Sequence, residues 1–143
     1  MLTPNVWGKY FWTTLHISAL GFPDQPTTSD REKYKTYYMN FGNGLPCPKC
    51  QKNYSQHFKE IPIDFYLYGK SQLFNWTVKL HNIVNKEQNK KEWTYEEAWD
   101  WYMNAKFENH EQKKINISTS PYILLLLIAN LILFLILIVY KFK

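Results

Sequence analysis

Cys47-Pro48-Lys49-Cys50 holds both cysteines of the chain. Two thiols at this spacing fit three readings: half of a zinc site, a redox dithiol, or coincidence. A zinc site needs two further ligands. The four histidines (His16, His57, His81 and His110) contain no pair at zinc-finger spacing. A redox pair needs an activated thiol, and a helix N-terminus provides one. Its unpaired backbone N–H groups and its dipole favour thiolate, and Lys49 adds positive charge. A second group lies upstream, where Trp12 and His16 are four residues apart and share one helical face. Alone, that pair is either an aromatic packed on a core histidine or a ligand contact. The third group is His81-Asn82-Ile83-Val84-Asn85, with Lys90 beyond it. An imidazole and two amides are costly to bury unpaired, so this face meets either solvent or a polar ligand. Lys90, near the helix end, is placed to reach a phosphate.

These groups need elements to position them, and the pattern predicts helices and no strand. The first runs from Pro4 to Leu20, with Thr3 as N-cap and Gly21-Phe22-Pro23 as its stop. The second is expected from Asp30 to Phe41, opened by a capping box of Ser29 and Glu32 and ended by Gly42. A third begins near Pro46, carries both cysteines in its first turn and ends before Pro62. An aromatic-rich loop over 62–70 follows. The fourth spans about Ser71–Asn89, with Leu73, Thr77, Leu80 and Val84 in one stripe and Phe74, Val78, His81 and Asn85 in the next. The fifth runs from Thr94 to about Phe107 behind the capping pair Thr94 and Glu97.

Residues 108–120 read as a polar linker to Pro121–Tyr140, twenty residues with one polar side chain, Asn130, and no charge. That length matches the hydrocarbon thickness of a bilayer. Tyr122 and Tyr140 fall at the expected interfaces, with a basic tail over 141–143. Met1–Leu20 lacks the apolar core of a secretory signal, so a C-terminal anchor with a cytosolic head is expected. The 143 residues carry a net charge of +5. Lys141 and Lys143 lie beyond the apolar stretch, which leaves the head with 15 basic against 12 acidic residues. These are interleaved rather than gathered in a stripe, which argues against nucleic-acid binding. Aromatic residues form 18% of the chain, enough for a dense small core or a site for a flat ligand.

Taken together, the three groups resemble the Erv/ALR family of FAD-linked sulfhydryl oxidases. Members read G-R-x-x-W-x-x-L-H, then P-C-x-x-C, then H-N-x-V-N-x-x-L-G-K. This chain has Gly8, Lys9, Trp12, Leu15 and His16; then Pro46, Cys47 and Cys50; then His81, Asn82, Val84, Asn85 and Lys90. Lys9 replaces the family's Arg, and Gln88-Asn89 replaces its Leu-Gly.

The resemblance implies an all-α fold: a small four-to-five-helix bundle over residues 1–107 that holds FAD. It implies cofactor contacts from Gly8, Lys9, Trp12, His16, Cys50, His81, Asn82, Val84, Asn85, Lys90 and Trp93, with Trp99 as the alternative to Trp93. Cys47 is then the sulfur that a substrate thiolate attacks, and Cys50 faces the flavin. No metal is implied. The expected partners are a dithiol protein or a thioredoxin-like shuttle, oxygen as acceptor, and a second copy in a homodimer. A second, shuttle cysteine pair is missing, as in the short oxidases of large DNA viruses, which would place the anchor in a virion or host membrane. The competing readings are a tail-anchored helical interaction protein without enzymatic activity and a zinc-binding adaptor.

Overall fold

The computed structural model describes residues 3–104 and, beyond them, Leu125, Ile128 and Asn130. All regular structure among the described residues is helical. The helices are α1 (Pro4–Leu20), α2 (Thr28–Phe41), α3 (Pro48–Glu60), α4 (Lys70–Glu87) and α5 (Tyr95–Met103). Single 3₁₀ turns lie at Gly42–Gly44 and Ile63–Tyr66. The chain divides into two units, Met1–Lys106 and Phe107–Lys143, and α1 to α5 belong to the first. The linker over 108–120 lies outside the described residues. So does the expected membrane segment apart from Leu125, Ile128 and Asn130. Among the described residues no helix is long and apolar enough to cross a membrane.

Local chemistry sets most boundaries. Pro4 opens α1, where its missing N–H costs nothing. Thr94 and Glu97 cap α5 reciprocally, at 3.1 and 3.0 Å, as expected. The start of α2 corrects the sequence reading. Its capping box is Thr27 with Asp30, not Ser29 with Glu32, and the helix begins at Thr28. Asp30 accepts from both the Thr27 backbone N–H, at 3.0 Å, and the Thr27 hydroxyl, at 2.6 Å. The earlier register also gains the Arg31 N–H bond to the Thr27 carbonyl. The 62–70 stretch is a loop, as expected, built round one 3₁₀ turn that buries Ile63, and Leu67 follows into the core.

α4 is the central helix. It packs against α1, α3, α5 and the Ile63–Tyr66 turn, so it is apolar on several sides. Leu73, Phe74, Trp76, Thr77 and Leu80 are fully buried. The Trp76 indole meets Tyr38 and Phe58 edge-on and donates its N–H to the Ile61 carbonyl at 2.8 Å.

Two buried phenols tie three helices together. Tyr38 of α2 donates to the Leu15 carbonyl of α1 at 3.0 Å, and Tyr54 of α3 donates to the Tyr38 carbonyl at 2.7 Å. Gly42 makes the α2–α3 approach possible, because a Cβ there would collide with the Tyr54 ring. This anchors the helix that carries the cysteines.

Candidate active site

Cys47 is the N-cap of α3, in extended backbone, with Pro48 at the first helical position. The helix therefore starts two residues later than the sequence suggests, and its end falls on the first thiol. Cys47 and Cys50 are joined in a disulfide, their Cα atoms 5.1 Å apart. The Cys50 backbone N–H points at the Cys47 sulfur from 3.2 Å. A helix-end N–H aimed at sulfur favours negative charge there once the bond is cleaved. Cys50 is half-buried against the apolar core. Gln51 steadies the approach by donating to the carbonyls of Leu45, at 2.8 Å, and Asn43, at 3.2 Å. Among the described residues no group of three or more His, Cys, Asp or Glu is placed to hold a metal ion.

The second constellation forms where α1 packs on α4. The Trp12 indole and the His81 imidazole are stacked, with centroids 3.9 Å apart and planes 8° from parallel. His16 Nε2 lies 3.0 Å from His81 Nδ1, and His16 Nδ1 lies 2.8 Å from the Thr77 hydroxyl. The Tyr102 ring of α5 covers His16 at 4.8 Å between centroids. Burial holds the His16 pKa well below its ordinary value, and His81 lowers it further. Burial, then the positive charge of Lys90, lowers His81 to about 4. Both rings are therefore neutral near pH 7. Two members of this cluster are not singled out by the sequence. Thr77 reads as part of an apolar stripe, although its place four residues before His81 was a usable signal. Tyr102 had no local signature.

The amides extend the site toward α5. The Asn82 side chain clamps Trp93 by both backbone groups, donating to its carbonyl at 2.7 Å and accepting from its N–H at 3.0 Å. Asn85 is buried and donates to Asn82 at 3.4 Å. The Asn85 carbonyl accepts from the Lys90 N–H at 2.8 Å, and the Lys86 carbonyl accepts from the Asn89 N–H at 3.1 Å. This is a Schellman closure, with Asn89 in left-handed backbone at φ 52°. It explains how Asn89 can stand where the family has glycine, since Asn tolerates left-handed backbone best after glycine. It also sets where Lys90 leaves the helix.

The structure thus joins Trp12, His16 and His81 directly, links Asn85 to Asn82 and Asn82 to the Trp93 backbone, and sets the Lys90 charge near His81, while the Trp93 ring packs on Trp101. Trp99 packs instead on Phe74 and Tyr95. Gly8 is half-buried with open space around it, Lys9 is exposed over the Tyr10 ring at 4.8 Å, and Val84 is half-buried on α4. No described contact joins these three to the histidine cluster. α3 reaches α4 through Phe58 on Trp76 and through His57. The buried His57 lies between Glu60, at 3.4 Å, and Glu87, which it approaches at 3.3 Å without hydrogen-bond alignment.

Residues 9–116 match the model of the Erv1 / Alr family. The chain is 41% identical over 98 residues to a probable FAD-linked sulfhydryl oxidase of Acanthamoeba polyphaga mimivirus, a match covering 68% of each chain. It is 34% identical over 85 residues to the FAD-linked sulfhydryl oxidase of an African swine fever virus isolate, covering 59% of this chain and 70% of that one. The crystal structure of the FAD-binding domain of Erv1 from Saccharomyces cerevisiae superposes with a TM-score of 0.67 at 24% identity, over 73% of this chain and 97% of that one. The all-α bundle is therefore the Erv1 fold, and the chain belongs to the Erv1 / Alr family.

Proposed function

We propose that this protein is an FAD-linked sulfhydryl oxidase that forms disulfides in protein substrates. The observation that carries this reading is the Cys47–Cys50 disulfide capping α3 in a chain of this family. The residues around the histidine pair fit the cofactor. Trp12 and His81 form a flat aromatic plate, Asn82 and Asn85 offer amides beside it, and Lys90 supplies a cation. These residues with His16 and Trp93 would hold FAD. The aromatic faces would take its rings, and Lys90 would take its phosphates.

The thiol chemistry follows from α3. A substrate thiolate attacks Cys47 Sγ, the Cys47–Cys50 bond breaks, and Cys50 departs as thiolate. The substrate's second thiolate then attacks its own sulfur in the mixed disulfide and expels Cys47. The N-cap N–H that stabilises Cys47 as thiolate makes it a good leaving group. The substrate leaves as a disulfide, two electrons poorer, and the cysteine pair is left as the reduced dithiol. FAD, when bound, supplies an acceptor for those electrons and their passage to oxygen, giving peroxide.

The proposal extends to location and assembly. A C-terminal membrane anchor over 121–140, with the head on the cytosolic side of a virion or host membrane, is supported by the uncharged apolar run in the sequence. Carbonate extraction and protease protection of the full chain test it. A homodimer is supported by exposed apolar side chains on α1 (Val6, Tyr10, Ile17) and α2 (Tyr37, Met39), and sedimentation tests it.

The deciding experiment is the visible spectrum of the purified chain, expressed with FAD, before and after an anaerobic dithiol. A flavin band that bleaches with dithiol and returns with air is expected. A colourless protein would overturn the oxidase reading.

A further inference from the structure

The hydrogen bonds behind Trp12 have a direction, and the direction is set by a residue with no other evident role in the site. The Thr77 hydroxyl lies 2.6 Å from the Phe74 carbonyl, one turn back on α4. A carbonyl has no proton, so the single hydroxyl proton must lie between these two oxygens. Thr77 Oγ1 is then only an acceptor toward His16 Nδ1 at 2.8 Å. His16 must carry its proton on Nδ1. Being neutral, it has a bare Nε2. That nitrogen faces His81 Nδ1 at 3.0 Å, so the His81 proton must also be on Nδ1. His81 Nε2 is left bare, and it makes no hydrogen bond among the described residues.

We infer that Thr77 is a positioning residue that fixes the tautomers of His16 and His81, so that His81 presents a hydrogen-bond acceptor to the bound cofactor. The group that meets it must be a donor, an amino or hydroxyl group of the nucleotide. A phosphate or ring carbonyl oxygen would be repelled there. This last point rests on the FAD reading, whereas the tautomers do not.

Removing the hydroxyl should reverse the relay. In Thr77→Val, a proton on His16 Nδ1 would be a buried donor with no acceptor, which is costly. The Nε2–H form leaves a bare acceptor there instead, which is better tolerated than an orphaned N–H: His16 donates to His81, and His81 turns its own proton outward. The shape of residue 77 is kept while the acceptor at His81 becomes a donor.

The test is ¹⁵N NMR of the full chain, labelled at histidine and solubilised in detergent, with and without FAD. Wild type is expected to show Nδ1–H for both His16 and His81, Thr77→Ser to keep this pattern, and Thr77→Val to show Nε2–H for both. Flavin affinity should fall roughly tenfold in Thr77→Val, on the scale of one hydrogen bond, and recover in Thr77→Ser. An Nε2–H tautomer at either ring in wild type would overturn the assignment without any variant. Tautomers that reverse in Thr77→Val with unchanged flavin affinity would overturn the role of the acceptor. Wild-type protein with the assigned tautomers but no affinity for FAD would overturn the cofactor reading and with it the donor requirement, leaving the relay itself standing.

Discussion

Trp12 and His81 are more than sixty residues apart in sequence, yet their rings lie 3.9 Å apart and 8° from parallel. The stack makes a rigid plate at the α1–α4 seam. Trp12→Ala removes half of it. Flavin retention is expected to fall about two- to tenfold, in keeping with the roughly 0.5–1.5 kcal/mol of an aromatic pair. Trp12→Phe should recover most of the loss. Titration of FAD fluorescence quenching reads both, and unchanged affinity in Trp12→Ala would place the cofactor elsewhere.

The two cysteines should fail differently from the histidines. Cys50→Ser is expected to abolish oxidase turnover, with a loss of at least about a thousandfold, while FAD stays bound. The disulfide that accepts the substrate's electrons is gone, but the plate is intact. Oxygen consumption with a dithiol substrate checks this, and retained turnover would remove the assigned role.

Acid should loosen the fold through the histidine pair. An unfolded imidazole takes up its proton near pH 6.5, whereas burial and Lys90 hold folded His81 at about 4. Between those values the unfolded chain binds more protons. Stability is therefore complete above about 6.5 and falls as pH drops toward 4. His16, also lowered, acts in the same direction. Thermal melts between pH 7 and 4.5 should show the decline, and His81→Gln should flatten it. A level Tm across that interval in the parent chain would contradict the buried, neutral pair.

The left-handed residue at the end of α4 offers a stabilising change. Asn89→Gly relieves the Cβ strain at φ 52° and is expected to gain about 0.5 kcal/mol, raising Tm by roughly 2–4 °C. Asn89→Val should lose about 1–2 kcal/mol, because a branched Cβ suffers most in that region. Equal melting temperatures for the two variants would mean that the Schellman closure does not form in solution.

A methyl group at Gly42 has nowhere to go. Gly42→Ala is expected to destabilise the head by about 1–3 kcal/mol, the usual range for overpacking. In a Tyr54→Ala background, where the opposing ring is absent, the same change should cost little. Denaturant melts of the single and double variants separate a steric cause from a backbone one.

The parts of the fold legible in sequence are those decided within a turn or two of chain. Pro4 at the start of α1, Thr94 and Glu97 at the start of α5, and Cys47 near the start of α3 act on backbone groups three or four residues away. The α2 cap is ambiguous in sequence because Thr27–Asp30 and Ser29–Glu32 are overlapping copies of one pattern. The choice fell to a second bond from the Thr27 hydroxyl that spacing alone does not reveal. The candidate site was legible as three motifs, whereas its wiring was not. Thr77 sits in an apolar stripe and is fully buried as the stripe demands, yet its oxygen serves His16, sixty-one residues away. Only tertiary packing could bring those two together.

The phenols of Tyr38 and Tyr54 join α1, α2 and α3, and burial pushes the ionisation of both far above its ordinary value. Base therefore cannot cut this tether under any condition the cell meets, whereas acid can undo the histidine pair. Near neutrality the scaffold is therefore more sensitive to acid than to mild base, and only above about pH 10, where unfolded phenols ionise, does base begin to weaken it. A free cysteine ionises near pH 8.5, so the alkaline side is also where substrate thiols become nucleophiles. The mount beneath the Cys47–Cys50 disulfide keeps its shape in the mildly alkaline conditions that drive thiols to react.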